Sequence, residues 1–183
     1  MCIRDRSSNT GIVKLIHENY KKNPHQFTDR LLAMGLDTPL GLAITGEGMP
    51  KIPHPEDPDW DGLDLPWMAF GYGVSLTPLQ TLSYYNAVAN NGELVLPRFV
   101  SSVRSLDGKV VQSFPKKVLN PAICSRETGS KLQKLMEGVV KNKWGTAHNI
   151  YDKKLSIAGK TGTCQVDYTT DDVQYVSSFV GYF

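Results

Sequence analysis

The hydrophobic residues of this chain change their spacing along its length, and this change limits the fold classes open to it. Near the N-terminus they recur at helical spacing in Ser7–Lys22 and Pro24–Met34. At the other end, Val173–Phe183 is rich in Val, Tyr and Phe, which is typical of a strand, and Leu155–Cys164 is a second strand candidate across the polar turn Asp167–Asp172. Helices first and a strand pair last predict the α+β class with antiparallel pairing.

A long connection without any period precedes the third predicted helix. Thr45–Ser75 is rich in proline and glycine, and long irregular connections in compact domains are often functional. The helix then begins at Thr77-Pro78, because Thr is a good N-cap and Pro is favoured in the first turn. Asn90-Asn91-Gly92 ends it.

The second half of the chain predicts a hairpin and a further helix. Leu94–Val103 and Lys109–Phe114 have strand composition, and the turn sequence Asp107-Gly108 lies between them. Ser125 then provides the N-cap of a helix that runs to about Lys141.

Composition excludes several function classes. The 20 Lys and Arg against 18 Asp and Glu give a net charge of +2, so we predict no nucleic-acid partner. Three cysteines without a CxxC pair argue against zinc ribbons and thioredoxins, although a Cys124–Cys164 disulfide stays open. The four histidines form neither HExxH nor a His pair at i,i+4, so no metal is predicted.

Both ends of the chain predict a fragment. Residues 1–6 are a charged stretch joined to a well-formed helix start, and we interpret them as a non-native remnant. The chain stops on a strand that looks buried, so we expect residues 7–183 to be a partial domain, truncated at both ends.

Two short motifs stand at opposite ends of the chain. The first is Ser7-Ser8-Asn9, where a helix cap is the simpler interpretation. The second is Lys160-Thr161-Gly162-Thr163, which alone is a weak signal for anything beyond an exposed strand. A phosphate-binding loop is excluded, because its first glycine would fall at position 154, which is Lys.

The order of these motifs, about 150 residues apart, resembles the second and third motifs of penicillin-binding transpeptidases and serine β-lactamases. The segments Phe70–Gln80, Gly145-Thr146-Ala147 and Ile157–Thr163 are similar to class B penicillin-binding proteins, and among them to the division-specific transpeptidase that builds septal peptidoglycan. The resemblance implies a partial transpeptidase fold with an antiparallel sheet and a helical subdomain.

The resemblance also implies a reaction. Enzymes of this family attack a D-Ala-D-Ala amide with a serine, form an acyl-enzyme, and pass the acyl group to an amine of a second stem peptide. Ser7 would relay a proton to the departing amine. Asn9 would hold the substrate amide and help to fix the catalytic lysine.

The second motif would bind the substrate by its terminal carboxylate. Lys160 would supply positive potential, and the hydroxyls of Thr161 and Thr163 would bind the carboxylate. Gly162 would leave room for the substrate to lie along the strand. The backbone N–H of Thr163 would be half of the oxyanion hole.

The nucleophile motif Ser-x-x-Lys is the point of departure from the family pattern. It should lie before Ser7, but the only match in the chain is Ser113-Phe114-Pro115-Lys116. This match is in the wrong order, and Pro115 does not suit the helix start that must direct Ser and Lys together. We therefore predict that the chain alone does not react with penicillin.

The full-length protein is expected to act at the outer face of the cytoplasmic membrane, held there by an N-terminal anchor outside this chain. Its implied partners are peptidoglycan stem peptides, β-lactams, a membrane glycosyltransferase and division proteins, and no cofactor is implied. Two alternatives stay open. One is a β-lactamase, D,D-carboxypeptidase or β-lactam sensor of the same superfamily, and the other is a non-catalytic division scaffold.

Overall fold

The structure, a computed structural model, describes residues 7–166 and 173–183. The proposed remnant at residues 1–6 and the predicted turn Asp167–Asp172 lie outside those residues. Within them, helices and antiparallel strand pairs alternate, which confirms the α+β class. The elements in chain order are α1 (Asn9–Tyr20), α2 (His25–Ala33), α3 (Asp64–Met68), α4 (Pro78–Ala89), β1 (Leu94–Val95), β2 (Ser102–Arg104), β3 (Val110–Ser113), β4 (Val118–Asn120), α5 (Arg126–Lys141), a 3₁₀ turn (His148–Ile150), β5 (Ala158–Val166) and β6 (Gln174–Tyr182).

The helix starts predicted from capping residues are confirmed. The hydroxyl of Ser8 accepts the N–H of Gly11 at 3.2 Å at the start of α1. Thr77 and Gln80 form a reciprocal capping box at the start of α4, with bonds of 3.1 and 2.9 Å. At the start of α5 the Ser125 hydroxyl accepts the N–H of Thr128 at 3.2 Å. These ends are local in sequence, so their pattern is visible without the fold.

The predicted strand Leu94–Val103 is wrong. The chain forms β1 and β2 there instead, and they belong to different two-stranded sheets. Pro97 lies between them and has no N–H to donate to a ladder. β1 pairs with β4, which has no clear signal in the sequence, whereas the predicted hairpin of β2 and β3 forms around Gly108 at φ +84°.

The terminal strand pair is confirmed and is the longest in the described chain. β5 and β6 pair residue by residue from Ala158↔Tyr182 to Val166↔Gln174. α5 packs against β5, and α4 packs against β6. This arrangement places β5 between its strand partner and the helices that carry the rest of the site.

Two small hydrophobic cores support the helices. One joins α4 to β1 through Ala87, Val88 and Leu94, and the other lies beneath the C-terminal part of α5 around Val139 and Val140. These cores hold α4 and α5 in place around the strand pair.

A long-range hydrogen bond ties α4 to the end of α2. The Tyr84 hydroxyl donates to the Met34 carbonyl at 2.6 Å. Burial, assisted by the negative charge of Asp37, raises the pKa of Tyr84 to about 12. The phenol therefore stays neutral and able to donate over the ordinary pH range.

Two further observations concern the cysteines and the membrane. Cys124 and Cys164 are both free thiols, so the disulfide that the sequence left open is not formed. Among the described helices, none has the length and apolar character needed to cross a bilayer.

Candidate active site

Ser7 and Lys160, which are 153 positions apart in the chain, meet at a hydrogen bond. The Lys160 ammonium donates to the Ser7 hydroxyl and, at 2.7 Å, to the carbonyl of Thr161. Ser7 directly precedes the N-cap of α1 and has φ +49°, a left-handed conformation that non-glycine residues seldom adopt. The two motifs singled out in the sequence therefore form one cluster.

Partial burial makes the charge of Lys160 costly. Desolvation lowers the pKa of the Lys160 ammonium below the ordinary value of a lysine. Its two hydrogen-bond acceptors, a hydroxyl and a carbonyl, carry no formal charge. A lysine held in this way offers an incompletely compensated positive charge to an anion that enters the site.

The hydroxyl of Thr161 is positioned by a residue that sequence reasoning did not single out. Thr146 Oγ1 lies 2.9 Å from Thr161 Oγ1, and either atom can be the donor. Thr146 follows α5, where Ala147 N donates to the carbonyl of Val139 at 3.1 Å. The only sequence signal for Thr146 was its place in a segment similar to class B penicillin-binding proteins.

The edge of β5 that faces away from β6 carries the backbone groups of the site. Gln165 N–H donates to the Tyr72 hydroxyl at 3.1 Å, so this N–H faces outward. The Thr161 carbonyl, bound by Lys160, also faces outward. Outward groups recur at every second residue of an antiparallel strand, so the N–H of Thr163 faces the same edge. That is the direction its predicted oxyanion role requires.

The structure shows a cross-strand contact that limits the side chain at position 162, and the sequence does not reveal it. It pairs with Ser178 across the sheet, and a Cβ added to Gly162 would lie 2.6 Å from Ser178 Oγ. Its predicted role of leaving room for substrate stays a prediction. A larger residue at position 162 would therefore require the Ser178 side chain to change its rotamer.

A cavity of about 620 Å³ opens beside the lysine. Ser7, Asn9, Lys160 and Thr161 line its polar side, and Gly162 and Thr163 lie just beyond it on β5. Most of its surface is apolar, and the lining there comes from Ile12, Leu15, Ala69, Phe70, Tyr85, Leu135, Met136 and Val139. Asn9 is present at the cavity but forms no hydrogen bond with Lys160 in the described chain.

Aromatic side chains from the long connection form one wall of the site. The Phe70 and Tyr72 ring centroids are 5.1 Å apart, and those of Trp67 and Tyr72 are 5.5 Å apart. Phe70 lines the cavity, while Tyr72 is bonded to Gln165 on β5. The connection between α2 and α4 is therefore attached to the strand that carries the second motif.

The Ser-x-x-Lys match at Ser113 lies on a strand end and not on a helix. Ser113 is the last residue of β3 and pairs with Ser102. Lys116 forms a salt bridge with Glu93 at 2.6 Å. Ser113 therefore lies in the β2–β3 hairpin, and Lys116 follows it. That this match has no catalytic role stays a prediction.

Known proteins that are similar to this chain come from one family. The family described as the penicillin binding protein transpeptidase domain matches residues 4–183. Penicillin-binding protein PbpB of Mycolicibacterium smegmatis is 31% identical over 165 residues, which is 87% of this chain and 24% of that protein. The protein named probable peptidoglycan D,D-transpeptidase FtsI of Caulobacter vibrioides is 26% identical over 86% of this chain and 24% of its own length.

The solved structures agree with the sequence relatives. The crystal structure of penicillin binding protein 3 from Mycobacterium tuberculosis, complexed with ampicillin, superposes with a TM-score of 0.79 at 26% identity. The match covers 98% of this chain and 40% of that one. The chain thus spans about a quarter of the length of the curated relatives it matches. Since the family match extends over nearly all of its residues, the chain belongs to the transpeptidase domain family of the penicillin-binding proteins.

Proposed function

We propose that the protein containing this chain is a peptidoglycan D,D-transpeptidase that cross-links stem peptides through an acyl-serine intermediate. The observation that carries the proposal is the cluster of Ser7 and Lys160 beside the open edge of β5. Such a cluster combines a fixed cation, hydroxyl groups and outward backbone donors, which are the groups that a peptide ending in a carboxylate requires.

In this mechanism the substrate lies along the free edge of β5. Its terminal carboxylate is drawn to Lys160 and accepts hydrogen bonds from the hydroxyls of Thr161 and Thr163. The Thr163 N–H stabilises the negative charge that develops on the carbonyl oxygen in the transition state. Thr146 restricts the rotation of the Thr161 hydroxyl and so prepares it for the carboxylate.

Ser7 provides a path for the proton that the departing amine needs. Its hydroxyl can give a proton to the amine and take up the proton released by the attacking serine, while Lys160 stays protonated and holds the Ser7 oxygen in place. Asn9 lines the same polar side of the cavity, which supports a role in holding the substrate amide.

The nucleophile is the element that these 183 residues do not supply. The one Ser-x-x-Lys of the chain begins at Ser113, the last residue of β3, and its lysine is paired with Glu93. We therefore propose that the chain alone is inactive, and that in the full-length protein a serine from another segment attacks at the cavity beside Lys160.

The cellular setting proposed here follows the family and the names of the relatives. The ligands are D-Ala-D-Ala stem peptides and β-lactams, and one solved relative was crystallised with ampicillin. We propose a place at the outer face of the cytoplasmic membrane, a membrane glycosyltransferase and division proteins as partners, and a role in septal synthesis.

Covalent labelling with a fluorescent penicillin tests the function. We expect the full-length protein to form a stable stoichiometric adduct and the 183-residue chain to form none. Lys160→Ala in the full-length protein should lower the acylation rate by about 10²-fold, a loss similar to that caused by removing one preorganised donor at an oxyanion. Lys154→Ala, an exposed lysine shortly before β5, is the matched control and should keep the rate.

Other outcomes would point to the alternatives. Rapid hydrolysis of the penicillin in place of a stable adduct would indicate a β-lactamase. Absence of any adduct in the full-length protein would indicate a non-catalytic scaffold. An unchanged rate for Lys160→Ala, or an adduct on the chain alone, would contradict the roles given to these residues.

A further inference from the structure

A cluster of two histidines and one carboxylate lies between α2 and the long connection. His25 and Asp29 are four residues apart on α2, so their side chains lie on the same face of the helix. His54 comes from the connection. One donor atom from each of the three residues lies within 4.8 Å of the other two, and none of them lines the cavity beside Lys160.

The cluster is already held together. His54 Nε2 is 2.9 Å from Asp29 Oδ1, and the rings of His25 and His54 meet edge to face with centroids 5.1 Å apart. The His54 backbone N–H donates to Asp57 Oδ2 at 2.8 Å, and Asp57 N–H returns a bond of 2.8 Å to the His54 carbonyl. These two bonds close a turn at residues 54–57, and the turn fixes His54 beside α2.

Access from solvent is uneven across the cluster. The His54 side chain is 17% exposed and the Asp29 side chain is 61% exposed. An ion can therefore reach the three donors past Asp29, while His54 provides a ligand whose position is fixed by its surroundings.

We propose that His25, Asp29 and His54 bind a divalent transition-metal ion, of which zinc is the best match. Two imidazole nitrogens and one carboxylate oxygen are ligands that zinc accepts, and a water molecule completes a tetrahedral site. Magnesium and calcium prefer sites made of oxygen ligands only. The i,i+4 spacing on a helix, with a third ligand from elsewhere in the fold, is a common way to build such a site.

Metal binding requires a change of tautomer at His54. Its Nδ1 accepts the Glu56 N–H at 3.3 Å, which leaves the ring proton on Nε2, facing Asp29. With zinc on Nε2 that proton resides on Nδ1 instead, so the long bond from Glu56 is lost. The imidazole stays neutral, and the ion takes the place of the proton between His54 and Asp29.

The consequence of the site is structural. The ion would fasten the start of α2 to the connection that leads, through Trp67 and Phe70, to the aromatic wall of the cavity. It takes no part in the proposed acyl transfer, so this inference does not depend on the proposed function.

Titration of the intact, metal-free protein with Co²⁺ and Zn²⁺ tests the site. We expect saturable binding of one equivalent of Co²⁺ with visible d–d bands, no near-ultraviolet thiolate band, and displacement by Zn²⁺. Zinc should also raise the melting temperature. Asp29→Asn should weaken binding by about 10- to 100-fold or more, since even the loss of a residue that only orients a ligand has an effect of that size.

His17→Gln is the matched control, because His17 is an exposed histidine on the neighbouring helix α1 and lies outside the cluster. It should bind the ion as the unchanged protein does. Asp29 is exposed, so its variant should fold, and circular dichroism checks this directly. The proposal fails if one equivalent is not bound, if Asp29→Asn and His54→Gln bind as tightly as the control, or if the cobalt spectrum shows thiolate ligation.

Discussion

At Lys160, burial disfavours the charged form of the side chain, whereas the proposed function requires that form. In the proposed mechanism its ammonium attracts the substrate carboxylate, yet partial burial lowers its pKa because the charged form loses hydration. A lowered pKa in a lysine means that the folded protein binds fewer protons than the unfolded chain between the two pKa values. In that alkaline window the free energy of unfolding rises with pH, while Lys160 loses the charge that the proposed mechanism requires.

The pH profile of acylation in the full-length protein should record this loss. We expect the rate to fall as the pH rises through the lowered pKa of Lys160, below the range in which an exposed lysine gives up its proton. Lys160→Arg is the informative variant, because arginine stays charged throughout. Its alkaline limb should move to higher pH even if its maximal rate is lower. An alkaline limb at the same pH in both proteins would assign the titration to another group.

The meeting of Ser7 and Lys160 could be anticipated, whereas the contacts around them could not. Both residues belong to short motifs whose order along the chain is itself informative. The Tyr72–Gln165 bond joins residues 93 positions apart, and no local pattern of residue types marks either partner. Such contacts arise from tertiary packing, which is visible only in the fold.

At the scale of elements, the β5–β6 pair depends on two glycines that face each other. Gly159 pairs with Gly181, and a Cβ at Gly159 would lie 2.4 Å from the Val180 carbonyl oxygen and 2.5 Å from the Phe179 ring. Real Cβ atoms do not approach this closely, so backbone and ring would both have to move. The Phe179 side chain thus occupies the space that a larger residue would need.

Gly159→Ala should lower the free energy of unfolding by about 1–3 kcal/mol, the usual cost of overpacking. Gly62→Ala is the control, because a Cβ there meets no atom within 4 Å and the backbone is not left-handed. That variant should stay within about 0.5 kcal/mol of the parent. Urea unfolding of both variants measures the difference, and equal midpoints would show that the close contacts relax without cost.

Elements whose ends are capped locally were predictable, and elements defined by distant pairing were not. The serine cap of α5 and the Thr-Pro start of α4 are signals within a few residues. β1 is two residues long and exists because β4, more than twenty positions later, lies beside it. The short α3 was hidden in a proline-rich connection for the same reason, since its stability comes from packing of Leu65 and Met68.

At the scale of the whole molecule, the chain has more surface than its mass requires. Its accessible area is 12567 Å², against about 8,800 Å² for a compact monomer of 20 kDa. Part of this area is an apolar groove of about 560 Å³, to which α4, β6 and the segment before β5 contribute Pro78, Leu82, Ile150, Leu155, Ile157, Phe179 and Phe183. Exposed apolar surface of this kind favours association.

We therefore expect the 183-residue chain to form oligomers as its concentration rises, as sedimentation velocity would detect. Leu82→Gln, in the groove, should shift the distribution toward monomer. Leu106→Gln is the comparison, because Leu106 is fully exposed at the turn of the β2–β3 hairpin and lies outside the groove. A monomer at all concentrations, or an equal effect of both substitutions, would show that the groove does not drive association.

Two side-chain hydrogen bonds limit how much of the outer edge of β5 is free for pairing: one from Lys160 to the Thr161 carbonyl, and one from the Gln165 N–H to Tyr72. The Lys160 ammonium is bound to the Thr161 carbonyl, and the Tyr72 hydroxyl is bound to the Gln165 N–H. Between them, in the described chain, Thr163 has both its outward N–H and its outward carbonyl free to pair. A second strand that paired with this edge could form ladder bonds to Thr163, but on either side of it would reach a backbone group that is already bonded, at Thr161 or Gln165. In the proposed mechanism this edge therefore takes only the end of a short peptide, and the occupied groups disfavour pairing along its length with a second copy of the strand.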